Sequence, residues 1–184
     1  NYGDSLRSII HTDNGGENWS YQSVPANATG LNSVFFKDNY NGWAVGWGGT
    51  LLYTNNSGEN WMLIGPYTNS DLRDICFVNS DVGWICGDRV LLKTEAGGLN
   101  WELKQTDHSG ECMFFINEDI GWIVGGITLI KTTNGGITWE EYYTYFNAND
   151  IVFLNEEIGY AARTWDGNIM YTLNGGVTWG KCLP

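Results

Sequence analysis

The sequence predicts an all-β protein assembled from repeated small antiparallel sheets, and three observations lead there. Ten Trp, ten Tyr and 25 Gly stand against three Pro and three Met in 184 residues, a composition of aromatic strands joined by tight turns. One eight-residue segment recurs five times, and a longer segment recurs four times between its copies. A period near forty residues marks one supersecondary unit per repeat, each needing its neighbours to bury its hydrophobic face.

The short segments are Thr12–Trp19 (TDNGGENW), Thr54–Trp61 (TNNSGENW), Thr94–Trp101 (TEAGGLNW), Thr132–Trp139 (TTNGGITW) and Thr172–Trp179 (TLNGGVTW). Each reads as a self-contained turn. The side chains of Asn14, Asn56, Asn134 and Asn174 accept backbone N–H bonds, the leading Thr ties down the same turn, and Gly at the fifth position takes a positive φ. Trp19, Trp61, Trp101, Trp139 and Trp179 then bury a large apolar face between neighbouring sheets. The third copy departs from the pattern, with Ala96 at the Asn position. Such turns resemble calcium loops, but neutral Asn at the acidic positions removes the main attraction for a hard cation. No metal and no cofactor is expected.

The longer segments are Val34–Trp43, Ile75–Trp84, Met113–Trp122 and Ile151–Tyr160. In each, apolar residues form strand 1, an Asn/Asp/Glu cluster turns the chain, and Gly-Trp (Gly-Tyr in the last) begins strand 2. Strand 3 follows at Thr50–Thr54, Val90–Thr94, Thr128–Thr132 and Asn168–Thr172, and the Trp after the turn opens strand 4. Four strands per forty residues are the blade of a β-propeller. The expected blades are 31–65, 72–105, 111–145 and 149–184. Ahead of them, a half-blade over 1–24 matches strands 3 and 4 alone. An open propeller leaves unpaired strand edges, so the expectation is that the chain forms part of a longer one or associates with another copy.

These are the marks of the BNR or Asp-box repeat. The combination of V-x-F…G-W-x-V-G with T-x-N-G-G-x-T-W resembles the photosystem II assembly and stability factor-like propellers over nearly the whole chain. That resemblance implies a scaffold that binds a partner polypeptide. It also implies a basic patch, which a chain with Arg7, Arg73, Arg89 and Arg163 as its arginines does not display. Similar repeats occur as extracellular modules of bacterial surface proteins, which fits the acidic, Asn- and Trp-rich composition better. A secreted or cell-surface location is therefore expected, with periplasm and thylakoid lumen as the other compartments.

Composition narrows the partners. A formal net charge of −12 repels phosphate backbones and anionic membrane surfaces, so nucleic acid is not expected. No stretch approaches the roughly 20 apolar residues that span a bilayer. Cys76, Cys86, Cys112 and Cys182 show no CxxC spacing, which argues against zinc. Disulfides stay open at this point: Cys76 and Cys86 fall on neighbouring strands of one hairpin, where a slip of one residue decides whether they share a face.

The strand 1–2 turns and Asp boxes are expected at one end of the blades. The 2–3 loops and the blade-to-blade connections belong at the other, where residues can vary without disturbing strands. Residues there that break the repeat are the ligand-binding candidates: Trp47, Tyr67, Arg73, Asp88, Arg89, Arg163, Trp165 and Asp166. Aromatic rings beside carboxylates and guanidiniums suit a glycan or a peptide. The competing reading is that these side chains fill the centre or pack between blades, which is favoured for Tyr145 and Phe146.

No catalytic residue is assigned. A sialidase needs an arginine cluster and a Tyr nucleophile, and the arginines here are scattered. An inverting glucanase needs two carboxylates flanking a cleft. Asp74 and Asp150 occupy equivalent positions at the start of strand 1, and a glycoside hydrolase-type propeller fragment acting on polysaccharide is the alternative to a non-catalytic binding module.

Overall fold

The computed structural model describes residues 9–104, 106–163 and 167–182. All regular structure there is β, apart from a short 3-10 turn at Trp47–Gly49. β1 (Ile9–His11) and β2 (Ser20–Gln22) form a two-stranded sheet, followed by four sheets of four strands. The first contains β3 (Leu31–Phe36), β4 (Gly42–Gly46), β5 (Leu51–Thr54) and β6 (Met62–Leu63). The second contains β7 (Leu72–Phe77), β8 (Gly83–Gly87), β9 (Val90–Thr94) and β10 (Glu102–Lys104). β11 (Cys112–Phe115), β12 (Gly121–Gly125), β13 (Thr128–Thr132) and β14 (Glu140–Tyr143) make the third. β15 (Ala148–Phe153), β16 (Gly159–Arg163), β17 (Ile169–Thr172) and β18 (Gly180–Lys181) make the fourth. Every sheet is an antiparallel meander, and the first strands of successive sheets lie against one another.

Two local turns hold each blade. Between strands 1 and 2, the side-chain oxygens of Asp38, Asn79, Asn117 and Asn155 each accept the N–H groups two and three residues on. Between strands 3 and 4, Thr12, Thr54, Thr94, Thr132 and Thr172 each accept the N–H of the glycine four residues later. In the four boxes with Asn, its Oδ1 also accepts the N–H four residues beyond it. The two turns meet through N–H bonds from Ser57, Gly97, Gly135 and Gly175 to the adjacent 1–2 turn. A positive φ is needed at the fourth box position as well as the fifth, and Ser57 adopts it without being glycine.

The blades are joined by aromatic wedges. On one side of each of the first three four-stranded sheets a strand 2 tryptophan reaches the next blade. Trp43 donates its Nε1–H to Gly98 O at 3.0 Å, and Trp122 donates to Gly175 O at 2.8 Å. Trp84 stacks on Phe115 with ring centroids 5.3 Å apart. All three indoles are fully buried. Lys37, Lys93 and Lys131 lie over the faces of Trp43, Trp84 and Trp122 respectively, at 5.1–5.3 Å from the ring centroids. This contact explains the fifth-position glycine beyond its φ: a Cβ on Gly98 would stand 2.6 Å from the Trp43 ring.

The box tryptophans are less uniform than the sequence predicts. Trp61 and Trp101 are buried and Trp139 and Trp179 half-buried, whereas Trp19 is 58% exposed. The reason is a missing neighbour. Trp61, Trp101, Trp139 and Trp179 each meet the phenylalanine that ends strand 1 of their own blade, namely Phe36, Phe77, Phe115 and Phe153. The two-stranded sheet contains no such strand among the described residues.

All four cysteines are free. Asp74 pairs with Cys86 and Cys76 with Trp84, so Cys76 and Cys86 share a face but stand two residues out of register. Burial raises the thiol pKa of Cys76, Cys86 and Cys112, which makes these thiols unreactive.

Candidate functional site

The end of the blades opposite the boxes is built from 2–3 loops clamped to blade connections. Trp47 N donates to Gly30 O at 2.8 Å, Asp88 N to Asp71 O at 2.9 Å, and Thr144 N to Ile127 O at 2.9 Å. The clamps are tight. A Cβ on Gly46, Gly87 or Gly125 would overlap the carbonyl of Gly30, Asp71 or Ser109, and the equivalent residue of the fourth blade is Arg163.

Strand 1 carries a register shift between Leu31 and Ser33, between Leu72 and Asp74, and between Ala148 and Asp150. The extra residues are Asn32, Arg73 and Asn149. A bulge of this kind re-aims a side chain and ends pairing. For Arg73 the outcome is a guanidinium 3.2 Å from Asp88 and 3.6 Å from Asp71, held ionised by the bond to Asp88.

Asp71 ties this pair to the first blade by accepting the Gly48 N–H at 2.9 Å. The indole of Trp47, 43% exposed, lies against Gly30, and Thr29 Oγ1 donates to the Trp47 carbonyl. Arg89 follows Asp88 as an exposed residue with a φ of 54°. The Trp47 loop, Arg73 and Asp88 are thus linked across the first and second blades with Asp71 as the joint, and Arg89 adjoins them in sequence. The joining role of Asp71 was not legible in the sequence, because it depends on a loop 23 residues away.

The remaining candidates lie elsewhere. Tyr67 is half-buried, packs against the core between the first two blades, and directs its hydroxyl to Leu99 O at 3.5 Å. Arg163 ends β16 in the fourth blade, two blades from Arg73. Trp165 and Asp166 lie outside the described residues. Of the two connection aromatics, Phe146 is buried against Trp179 and Tyr145 is exposed.

Beneath this surface, strand 1 presents Ser33, Asp74, Cys112 and Asp150 at equivalent positions. Asp74 accepts Ser33 Oγ at 2.9 Å, its neighbour Ile75 N at 2.8 Å, and Met113 N at 3.0 Å. One carboxylate therefore joins the first strands of three blades. Burial raises its pKa, these hydrogen bonds oppose the rise, and the charge of Asp150 adds to it. Asp150 accepts Ile151 N at 2.9 Å. Among the described residues, no group of three or more His, Cys, Asp or Glu side chains is arranged to hold a metal ion. Among the described residues, no helix is long and apolar enough to cross a membrane.

Against known families, residues 64–143 match the model of the photosynthesis system II assembly factor YCF48. No curated protein matches the sequence. Among solved structures, YCF48 bound to D1 peptide superposes with a TM-score of 0.69 at 20% identity, covering 87% of this chain and 56% of that one. YCF48 from Cyanidioschyzon merolae gives 0.67 at 18%, covering 95% and 63%. The chain is a propeller that resembles the BNR-repeat photosystem II assembly factor. A GH74 enzyme from Niastella koreensis gives a TM-score of 0.74 at 16% identity over 95% of this chain and 34% of that one. The chain thus spans less than two thirds of the length of each of these structures. At such identities the likeness is one of fold, which hosts both binding proteins and hydrolases.

Proposed function

We propose that this propeller is a non-catalytic module of a secreted or cell-surface protein that binds a partner polypeptide through its 2–3 loop face. The observation that carries the reading is the Trp47–Asp71–Arg73–Asp88–Arg89 set: an exposed indole in a loop tied through Asp71 to a guanidinium fixed by two carboxylates. A rigid aromatic next to a pre-oriented Arg is the composition of a protein-binding hot spot. The likeness to YCF48 bound to D1 peptide supports a peptide as the ligand class.

The polysaccharide-hydrolysing alternative rests on Asp74 and Asp150. It is disfavoured because the Asp74 carboxylate already accepts three hydrogen bonds from its own scaffold, which leaves it poorly placed to reach a scissile bond. A peptide and glycan array probed with wild type, Trp47→Ala and Arg73→Ala tests the proposal. Peptide signals that fall in both variants are expected. Glycan signals alone, or reducing sugar released from xyloglucan and abolished by Asp74→Asn, would overturn it.

A further inference from the structure

Where one blade passes to the next, the connection makes the same small turn three times. In Thr68–Ser70, Thr106–His108 and Thr144–Phe146 the third residue donates its N–H to the threonine Oγ1, at 3.1, 3.1 and 3.4 Å. Each turn ends four residues before the strand 1 position held by Asp74, Cys112 or Asp150. The connections also cover the box tryptophan of the blade they enter. Val24 and Ala28 pack in the cluster of Trp61, Tyr67 packs in that of Trp101, and Phe146 meets Trp179 edge to face with ring centroids 5.6 Å apart.

The connection from the second blade to the third breaks this rule. His108 stands where Phe146 stands, and an open pocket of about 260 Å³ lies between the turn and the box tryptophan, lined by Thr106, Asp107, His108 and Trp139. The indole differs as well. Trp101 and Trp179 donate their Nε1–H to Gly98 O and Gly176 O at 2.9 and 3.0 Å, whereas that of Trp139 has no acceptor among the described residues. The rim is acidic: Asp107 is exposed, and so is Glu141, which stands two residues beyond Trp139 and hence on the same side of the third sheet.

We propose that this pocket takes a tyrosine side chain from a basic segment of a partner polypeptide. The ring takes the place against Trp139 that Phe146 takes against Trp179. Its hydroxyl accepts from the Trp139 Nε1–H and donates to Asp107, and Lys or Arg beside the tyrosine meets the carboxylates of Asp107 and Glu141. An aromatic anchor seated in a pocket is where an interface concentrates its energy. The inference rests on the polypeptide-binding reading but uses none of the residues that carry it.

NMR of the indole N–H groups in the whole chain tests it, with the Trp139 resonance identified by its loss in Trp139→Phe. The probe is acetyl-Lys-Tyr-Lys-amide, and acetyl-Lys-Ala-Lys-amide is the control. The tyrosine peptide is expected to shift the Trp139 resonance saturably, with an affinity at least about tenfold above that of the control. His108→Phe, which plugs the pocket as Phe146 does, is expected to abolish the shift. Asp107→Asn should weaken binding about threefold or more, through loss of a charge-assisted hydrogen bond, and Arg73→Ala should leave it unchanged. A Trp139 resonance that does not move, that moves equally with the control, or that still moves in His108→Phe overturns the proposal. So does a xyloglucan oligosaccharide that shifts it when the peptide does not. A response lost in Arg73→Ala and kept in His108→Phe places the peptide at the loop face, which overturns this inference and leaves that reading intact. Array signals indifferent to Trp47→Ala and Arg73→Ala, with the Trp139 response retained, would sink the loop-face assignment and keep this pocket.

Discussion

At the box end of the blades, five threonines make the same bond, from the glycine N–H four residues on, at 2.9–3.0 Å every time. At the loop end, the same backbone clamps carry different side chains in each blade: Trp47 in the first, Asp88 and Arg89 in the second, Ile127 in the third. One end is held by a motif whose Thr–Gly bond is kept in every copy, even where Ala96 or Ser57 replaces another box residue. The other is clamped mainly by backbone bonds, which leaves most of its side chains free to vary for a ligand. Substitutions at the box end should therefore cost stability, and substitutions at the loop end should cost binding.

The largest loss is expected at the wedge. Gly98→Ala places a methyl 2.6 Å from the fully buried Trp43 ring, at a φ of 85°. A positive φ costs a non-glycine residue about 1–2 kcal/mol, and overpacking adds about 1–3 kcal/mol. Gly15→Ala is the control: its φ is 71°, but nothing lies within 4 Å of the added Cβ, so only the conformational part is lost. Urea midpoints that fall equally in the two variants would break the wedge account.

Asp74→Ala removes the acceptor for Ser33, Ile75 and Met113, and an expected loss of about 1–3 kcal/mol follows from donors left unsatisfied in a buried site. The carboxylate also sets a pH dependence. Its folded pKa lies above the unfolded value because burial outweighs the hydrogen bonds it accepts. Its contribution to stability is thus fully present below the ordinary carboxylate range and is lost as pH rises through the raised folded value. The urea midpoint of wild type relative to Asp74→Asn should therefore improve on acidification from neutral pH. An unchanged difference would show that Asp74 titrates as in the unfolded chain.

A smaller effect, of opposite sign, is expected in the third box. Ala96 cannot accept the N–H that Asn14, Asn56, Asn134 and Asn174 accept in the other copies. Ala96→Asn restores that acceptor, and a gain of about 0.5–1.5 kcal/mol is expected from one hydrogen bond. Thermal unfolding compared with Asn134→Ala, which should lose a similar amount, checks both directions.

The box geometry was legible because every partner lies within eight residues of sequence, so residue type alone decides the turn. Exposure of Trp19 was not legible: its burial depends on a phenylalanine that belongs to a strand 1. The second reason for the fifth-position glycine was equally hidden, since Gly98 and Trp43 are 55 residues apart. At the loop end, Trp47, Arg73, Asp88 and Arg89 stood out by breaking the repeat. How they are joined did not, because Asp71 acts through a loop of the preceding blade and Arg73 is turned out by a bulge that composition does not announce. Tyr67 broke the repeat too, yet its ring packs into the core.

Arg73→Ala is expected to move stability least. Its guanidinium and the two carboxylates beside it are all more than a third solvent-exposed, and ion pairs of that kind contribute about 0–1 kcal/mol. Removing the guanidinium also leaves Asp71 free to keep its bond from Gly48 N–H, so the Trp47 loop stays in place. The variant should melt within about 4 °C of wild type, since for a domain of this size about 1 kcal/mol corresponds to roughly 2–4 °C. Titration calorimetry with a peptide selected on wild type should nonetheless show affinity reduced at least about tenfold, the effect of losing roughly 1.4 kcal/mol at a hot spot. If affinity holds while the melting temperature falls sharply, the loop face is structural, and the division of labour between the two ends of the blades is reversed.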